Sequence, residues 1–163
     1  MKTVLLLRHA KSSWSNANLL DFERPLNDRG RAAAKRIGQH IAKHKLNPDL
    51  VLSSPAARAR ETADLVLKSA KLQVELRQDE RIYEAGSLRL LEVISQIDED
   101  KKTVLLVGHN PGIEELLRLL TDHEAHMSTA ALAKIKIAVK TWDNVLQEKG
   151  KLEWLIKVKE LEG

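Results

Sequence analysis

Two five-residue runs constrain this chain more than anything else in it. T-V-L-L-L at residues 3–7 and T-V-L-L-V at 103–107 are nearly the same string, and each is followed within two residues by a histidine, His9 and His109. Both are apolar throughout after the threonine, not at alternate positions, which suits strands covered on both faces of a parallel sheet. The first stops abruptly at Arg8 and His9. A guanidinium beside an imidazole where a central strand ends is a way to hold and attack a phosphoryl group; a basic surface turn reads equally well from that stretch alone.

The remaining chain supplies further runs with helices between them. Leu50-Val51-Leu52 is a short strand, and Val74 to Leu76 is a weaker one. Asn27 is expected to cap a helix whose buried stripe uses Ala33, Ala34, Ile37 and Ile41, with Asp28 against the dipole and Asn47-Pro48 at its end. Ser54 as N-cap and Pro55 at the first position open a second helix, placing Arg58 in its first turn. Leu90, Leu91, Ile94 and Ile97 mark a third helix. Asn110 and Pro111 open a fourth, with Ile113, Leu116, Leu117 and Leu120 inward. After this β-α-β-α-β-α-β-α order, Leu132 to Val139 and Leu152 to Val158 alternate with lysines and other charges. They predict two half-exposed strands at the sheet edge around a short helical stretch near residues 142–146. The expected fold is a three-layer α/β/α sandwich with a mostly parallel central sheet and an antiparallel edge. At 163 residues it is read as a single domain spanning 1–163.

In an open sheet of this kind ligands bind outside the carboxyl ends of the strands. Arg8 and His9, Arg58, and His109 all fall at such ends. Two arginines and two histidines beside two helix N-termini make a dianion site that needs no metal. Taken singly, Arg58 could pair with Glu61 or Asp64, and His109 could be a turn residue with its needs met locally. Trp14 could cover a pocket rim or close the core, and the second reading is preferred.

Composition removes several classes. Cysteine is absent, so there is no disulfide, thiol nucleophile or thiolate metal site, and a reducing compartment is indicated. His40 and His44 have the spacing of helical metal ligands but lack a supporting ligand set, and read as a solvated face; His123 and His126 flank a loop. A strand beginning almost at Met1 leaves no room for a signal peptide, and no apolar run reaches the roughly 20 residues of a membrane span. A cytoplasmic protein without a membrane partner is expected. The net charge of +4, with basic and acidic residues interspersed, and a total of three Trp, one Tyr and one Phe do not indicate nucleic acid.

Arg8-His9-Ala10, Ser53-Ser54-Pro55 with Arg58, and Gly108-His109 resemble the signature of the histidine phosphatase superfamily, which includes the phosphoglycerate mutases. R-H-A-K-S at the start, R-P-L-N-D-R-G at Arg24 to Gly30 and V-G-H-N-P at Val107 to Pro111 look most like its small phosphohistidine phosphatase SixA group. Ala10 stands where glycine is usual, and no long insertion that could form a substrate lid is evident, which argues against a mutase.

The resemblance implies a phosphoglycerate mutase-like fold and a phosphatase without cofactor. His9 would attack phosphorus and carry the phosphoryl group, while Arg8, Arg58 and His109 hold the equatorial oxygens. Two nearby guanidiniums would keep the His9 imidazole neutral, and a backbone carbonyl would fix its tautomer. Ser12 would add an oxygen contact. Glu84 lies where the superfamily usually supplies a general acid; it could equally be an exposed carboxylate. The implied substrate is phosphohistidine on a protein, for instance a histidine-phosphotransfer domain, and a monomer is expected. The alternatives are a phosphatase of small phosphoesters (sugar phosphate, nucleotide or phosphoamino acid) and a non-catalytic phosphoprotein-binding module.

Overall fold

The computed structural model describes residues 1–161. Its strands are β1 (Lys2–Arg8), β2 (Leu50–Ser53), β3 (Leu76–Gln78), β4 (Thr103–Gly108), β5 (Leu132–Ile137) and β6 (Gly150–Ile156), and its helices are α1 (Asp28–Lys43), α2 (Ala57–Ala70), α3 (Ser87–Ser95) and α4 (Gly112–Thr121). The six strands form one sheet in the order β3-β2-β4-β1-β5-β6. β1, β2, β3 and β4 are mutually parallel, and β5 and β6 add antiparallel. The expected sandwich is therefore the one observed.

Alternation along the central strands sends side chains to two separate cores. Val4, Leu6, Val104 and Leu106 meet α3, α4 and a 3-10 turn at Trp142–Leu146 on one face. Leu5, Leu7, Leu105 and Val107 meet α1 and α2 on the other. Each of these eight side chains is fully buried, which explains why both runs are apolar at every position. β5 is more deeply set than expected: it lies between β1 and β6, and Leu132, Ile135 and Ile137 are fully buried. Only β6 is an edge.

The sheet's connections place the site. α1 leaves the end of β1 toward one face and α4 leaves the end of the adjacent β4 toward the other. The chain thus opens a crevice at their shared carboxyl edge, the kind of switch point where α/β sheets take ligands. Two glycines close the loops around this edge. A Cβ on Gly30 would meet the carbonyl oxygen of Lys11 at 2.1 Å, and one on Gly112 would meet that of Ala85 at 2.2 Å. Only glycine lets α1 and α4 begin this close to the loops after β1 and before α3.

Helix starts differ from expectation in two places. Asn27 does cap α1, its side chain accepting from Gly30 N at 2.8 Å. α2, however, begins at Ala57 with Ala56 as N-cap. Ser54 Oγ accepts from Ala56 N at 3.2 Å instead, so the serine shapes the turn ahead of the helix. α4 begins at Gly112 after a cis Asn110-Pro111 bond. Asn110 is not its cap: its amide donates to Glu114 Oε1 and to the Met127 carbonyl at 2.8 and 2.9 Å.

Candidate active site

Four side chains from three remote segments meet at the carboxyl edge. Arg8, His9, Arg58 and His109 line one cavity of about 340 Å³, together with Lys11, Ser12, Trp14, Arg24, Asn110 and Thr129. The His9 and His109 rings lie 5.1 Å apart, centroid to centroid. The backbone that holds them is itself paired: His9 N donates to Gly108 O, Ser54 N to Val107 O, and Ala130 N to the carbonyls of Arg8 and His9. Strand ends, and not flexible tips, carry the site.

His9 Nδ1 donates to its neighbour's carbonyl, Ala10 O, at 2.7 Å. That bond puts the ring proton on Nδ1 and leaves Nε2 with its lone pair. The Ala10 carbonyl is held in turn, because Ala10 N donates to Thr62 Oγ1 at 3.0 Å and Thr62 Oγ1 donates to Arg58 O at 2.7 Å. One short chain of bonds thus fixes both the imidazole and the start of α2. His9 has its pKa lowered to about 4, chiefly by burial and further by Arg58, Arg8 and Arg24, against the opposing Ala10 bond. Desolvation, more than the guanidiniums, keeps it neutral.

His109 faces it with a different support. Its Nε2 lies 2.8 Å from Ser54 Oγ. Either atom can donate in this bond; with the hydroxyl as donor the ring proton stands on Nδ1, which has no partner among the described residues. The pKa of His109 is lowered to about 3, first by burial and then by His9 and Arg58.

Several polar atoms of the site's side chains stand buried without a partner. Arg8 Nε, Arg58 Nε, Arg24 Nε and Nη1, and His109 Nδ1 are buried with no hydrogen-bond partner among the described residues. Buried donors are rarely left unmatched. Three guanidiniums with unspent donors around one small cavity, beside the equally unpartnered Asn110 Oδ1, suit a multiply charged oxyanion. Among the described residues, no group of His, Cys, Asp or Glu is arranged to hold a metal ion.

Arg58 does not pair with Glu61 or Asp64. Its Nη1 donates to Asp21 O at 2.8 Å and its Nη2 to Asp21 Oδ2 at 3.0 Å. Asp21 also receives Arg24 at 3.2 Å and the Tyr83 hydroxyl at 2.7 Å. The Tyr83 bond and the Arg58 contacts hold its carboxyl below the usual range, against burial. Tyr83 is pushed up to about 12 by burial and by Asp21, so it remains a phenol, its ring edge-on to His109 at 5.6 Å.

Asp21 and Arg24 are the residues that sequence reasoning missed as site groups. Arg24 was visible as the first residue of the R-P-L-N-D-R-G motif, and D-F-E-R offers an i, i+3 ion pair. The segment has no periodicity to say which way either side chain would face.

Three other residues singled out in the sequence take these positions. Ser12 lines the cavity and is only 9% exposed. Trp14 is a rim residue and not a core one: it is 78% exposed, with the Arg24 guanidinium 3.5 Å from its ring centroid. Glu84 is exposed, stands at φ 54 and is not among the lining residues. The 3-10 turn before it, Glu80–Ile82, sends the adjacent Tyr83 toward His109 instead.

The sequence matches the Histidine phosphatase superfamily (branch 1) over residues 4–88. It is 30% identical to an uncharacterised chloroplastic protein of Arabidopsis thaliana, over 96% of this chain and 76% of the relative. Its fold superposes with a TM-score of 0.83 on a structure from Agrobacterium tumefaciens named as a phosphohistidine phosphatase SixA, 29% identical, covering 96% of this chain and 97% of that one. It also superposes, with a TM-score of 0.81, on the protein histidine phosphatase SixA complexed with tungstate, which is 21% identical and similar in fold over 98% of this chain and 99% of that one.

Proposed function

Since the chain belongs to the histidine phosphatase superfamily, we propose that it removes the phosphoryl group from phosphohistidine on a protein partner, by way of a phosphorylated His9. The observation that carries this reading is the His9 tautomer: Nδ1 is committed to Ala10 O, so the unprotonated Nε2 belongs to a ring that lines a cavity of unmatched guanidinium donors.

In the first step the Nε2 lone pair attacks phosphorus as the bond to the leaving nitrogen breaks. Arg8, Arg58 and Arg24 take the charge on the equatorial oxygens, with His109 Nδ1–H as a neutral fourth donor. Water then attacks the phosphorus on His9, releasing inorganic phosphate and restoring the imidazole. The arginines supply the charge neutralisation that this transfer needs.

The leaving group separates the substrate classes. An alkoxide must be protonated as it departs, and among the described residues no carboxyl group lines the cavity. Asp21, the nearest acid to Arg58, is held ionised by Tyr83 and Arg58. Phosphohistidine does not need that acid, because its imidazole accepts its own proton from water and leaves neutral. This favours the phosphoramidate over small phosphoesters. The binding-module reading would not call for a tautomer-fixed, neutral imidazole among the donors.

A turnover screen tests the proposal. Phosphohistidine proteins, a histidine-phosphotransfer domain among them, are compared with a panel of small phosphoesters, and acid-labile labelled phosphate is sought on His9. The expected result is faster release from the phosphohistidine proteins, with label on His9. Preference for a phosphoester would overturn the substrate, and absence of label from every donor would overturn the enzyme.

A further inference from the structure

One face of α1 carries a chain of hollows that starts at the catalytic cavity. Lys11 and Thr129 line that cavity and also a second hollow of about 350 Å³, shared with Arg29, Arg36 and Lys159. Arg36 belongs to the next as well, about 620 Å³, with Lys43, His40 and His44. The two histidines lead into a last one of about 420 Å³, floored by Leu46, Trp154 and Ile156. Successive hollows share lining residues, so they follow one another as a track along α1.

Its charge is one-sided. Lys11, Arg29, Arg36, Lys43, Lys134 and Lys159 line it, Arg36 being already engaged, and Glu160 is the single carboxylate among the described lining residues. Arg29 and Lys43 are exposed and make no ion pair among the described residues. By contrast, Asp28 of the same helix is taken up by Arg31 at 2.8 Å. The whole chain carries only +4, so this alignment is a local concentration of charge. Clefts of one sign steer and orient partners of the other.

We propose that this groove is the docking track for an acidic segment of the phosphorylated protein partner, which it aligns so that the phosphoryl-bearing side chain enters the His9 cavity. The proposal rests on the phosphoprotein reading above and adds the location and chemistry of the docking surface. From Arg29 to Lys43 the helix rises about 21 Å, a distance that about six extended residues cover. A free small phosphoester would occupy only the cavity end and gain nothing from the groove. An acidic segment would be selected by the groove and released by salt, because exposed charges are screened within about 8–10 Å at physiological ionic strength.

The test uses a fluorescent, unphosphorylated peptide with about six acidic residues, a serine-glycine peptide of the same length, and the turnover of phosphoramidate. Wild-type protein is compared with Arg29→Glu/Lys43→Glu and with the milder Arg29→Ser/Lys43→Ser. Both residues lie outside the catalytic cavity, so phosphoramidate turnover is expected to stay within about twofold, which also reports that each variant is folded.

By fluorescence anisotropy the wild type should bind the acidic peptide and not the neutral one. The charge reversal should weaken that binding at least about tenfold, with the serine variant between. Equal binding of both peptides, or unchanged affinity after charge reversal, would overturn the groove. Acidic-peptide binding that obeys these rules, in a protein that prefers phosphoesters in the turnover screen, would instead overturn the substrate assignment and leave the groove standing.

Discussion

β1 and β4 run side by side in parallel, pairing Thr3 with Thr103, Leu7 with Val107 and Arg8 with Gly108. Each then delivers an imidazole to the same cavity, and the two rings differ in how they are held. His9 is bound at Nδ1 by a backbone carbonyl, and His109 at Nε2 by the Ser54 hydroxyl. A carbonyl only accepts, so it forces the proton onto Nδ1 of His9 and exposes a lone pair at Nε2. A hydroxyl both gives and accepts, so with Ser54 as donor His109 keeps an N–H turned away from the serine. In the proposed mechanism near-identical strands thus present one nucleophile and one donor.

The largest expected effect comes from exchanging these roles for nothing. His9→Ala should remove phosphoenzyme entirely and lower turnover by at least about 10⁴-fold, as loss of a covalent nucleophile does. His109→Ala removes one neutral donor and should cost about 10²–10³-fold while still allowing His9 to be labelled. Rapid-quench labelling reads both. Label surviving in His9→Ala, or vanishing in His109→Ala at long times, would break the division between the two rings.

Ser54→Ala sharpens the same contrast by touching only one side. Without the hydroxyl, His109 loses the partner that fixes its tautomer, a single hydrogen bond worth about 1–1.5 kcal/mol and so about tenfold in rate. His9 keeps its carbonyl, and labelling at saturation should persist. Ser54→Thr, which restores a hydroxyl, should recover most of the loss. Recovery failing while the fold is intact would show that Ser54 acts only as the turn residue that Ala56 N binds.

How much of this was legible follows from the same strands. Arg8, His9 and His109 could be placed because a residue directly after a buried strand has its position set by the ladder, and Arg58 because it falls in the first turn of α2 even though that helix starts later than Ser54-Pro55 suggested. Ser54 was read as a cap, since nothing in a linear pattern says that β4's histidine would come back to it across 55 residues. The 13–25 segment was the least readable. Trp14, Asp21 and Arg24 owe their places to one another and to Arg58, a mutual arrangement that no periodicity announces. Net charge hid the α1 groove in a similar way, because acidic residues elsewhere offset it in the count.

A pH titration extends the comparison to energetics with a smaller effect. With His9 lowered to about 4 and His109 to about 3, both rings are neutral from about pH 5 upward, where an ordinary histidine near 6.5 would be mostly charged. The folded state then binds fewer protons than the unfolded one between about pH 3 and 6.5. Stability from these groups is therefore fully present above about 6.5 and is lost as pH falls through that window. Imidazole NMR midpoints near 6.5 in the folded protein, or stability flat across the window, would contradict the burial that keeps the nucleophile ready.

Glu84→Gln is the smallest and asks whether the superfamily's acid has a counterpart here. If Glu84 were the proton donor, phosphoester turnover would collapse in the variant and phosphohistidine turnover would survive. The structure argues otherwise. Glu84 is exposed, its backbone is in the left-handed region at φ 54, and the cavity is lined without it, while Tyr83 beside it is spent on holding Asp21. An exposed carboxyl that does not line the cavity lacks the reach of a general acid. Replacing it should therefore move either rate by no more than about twofold, as surface substitutions do. A collapse confined to phosphoesters would mean that the loop after β3 swings in when substrate is bound, and would return the small phosphoesters to the front of the substrate list.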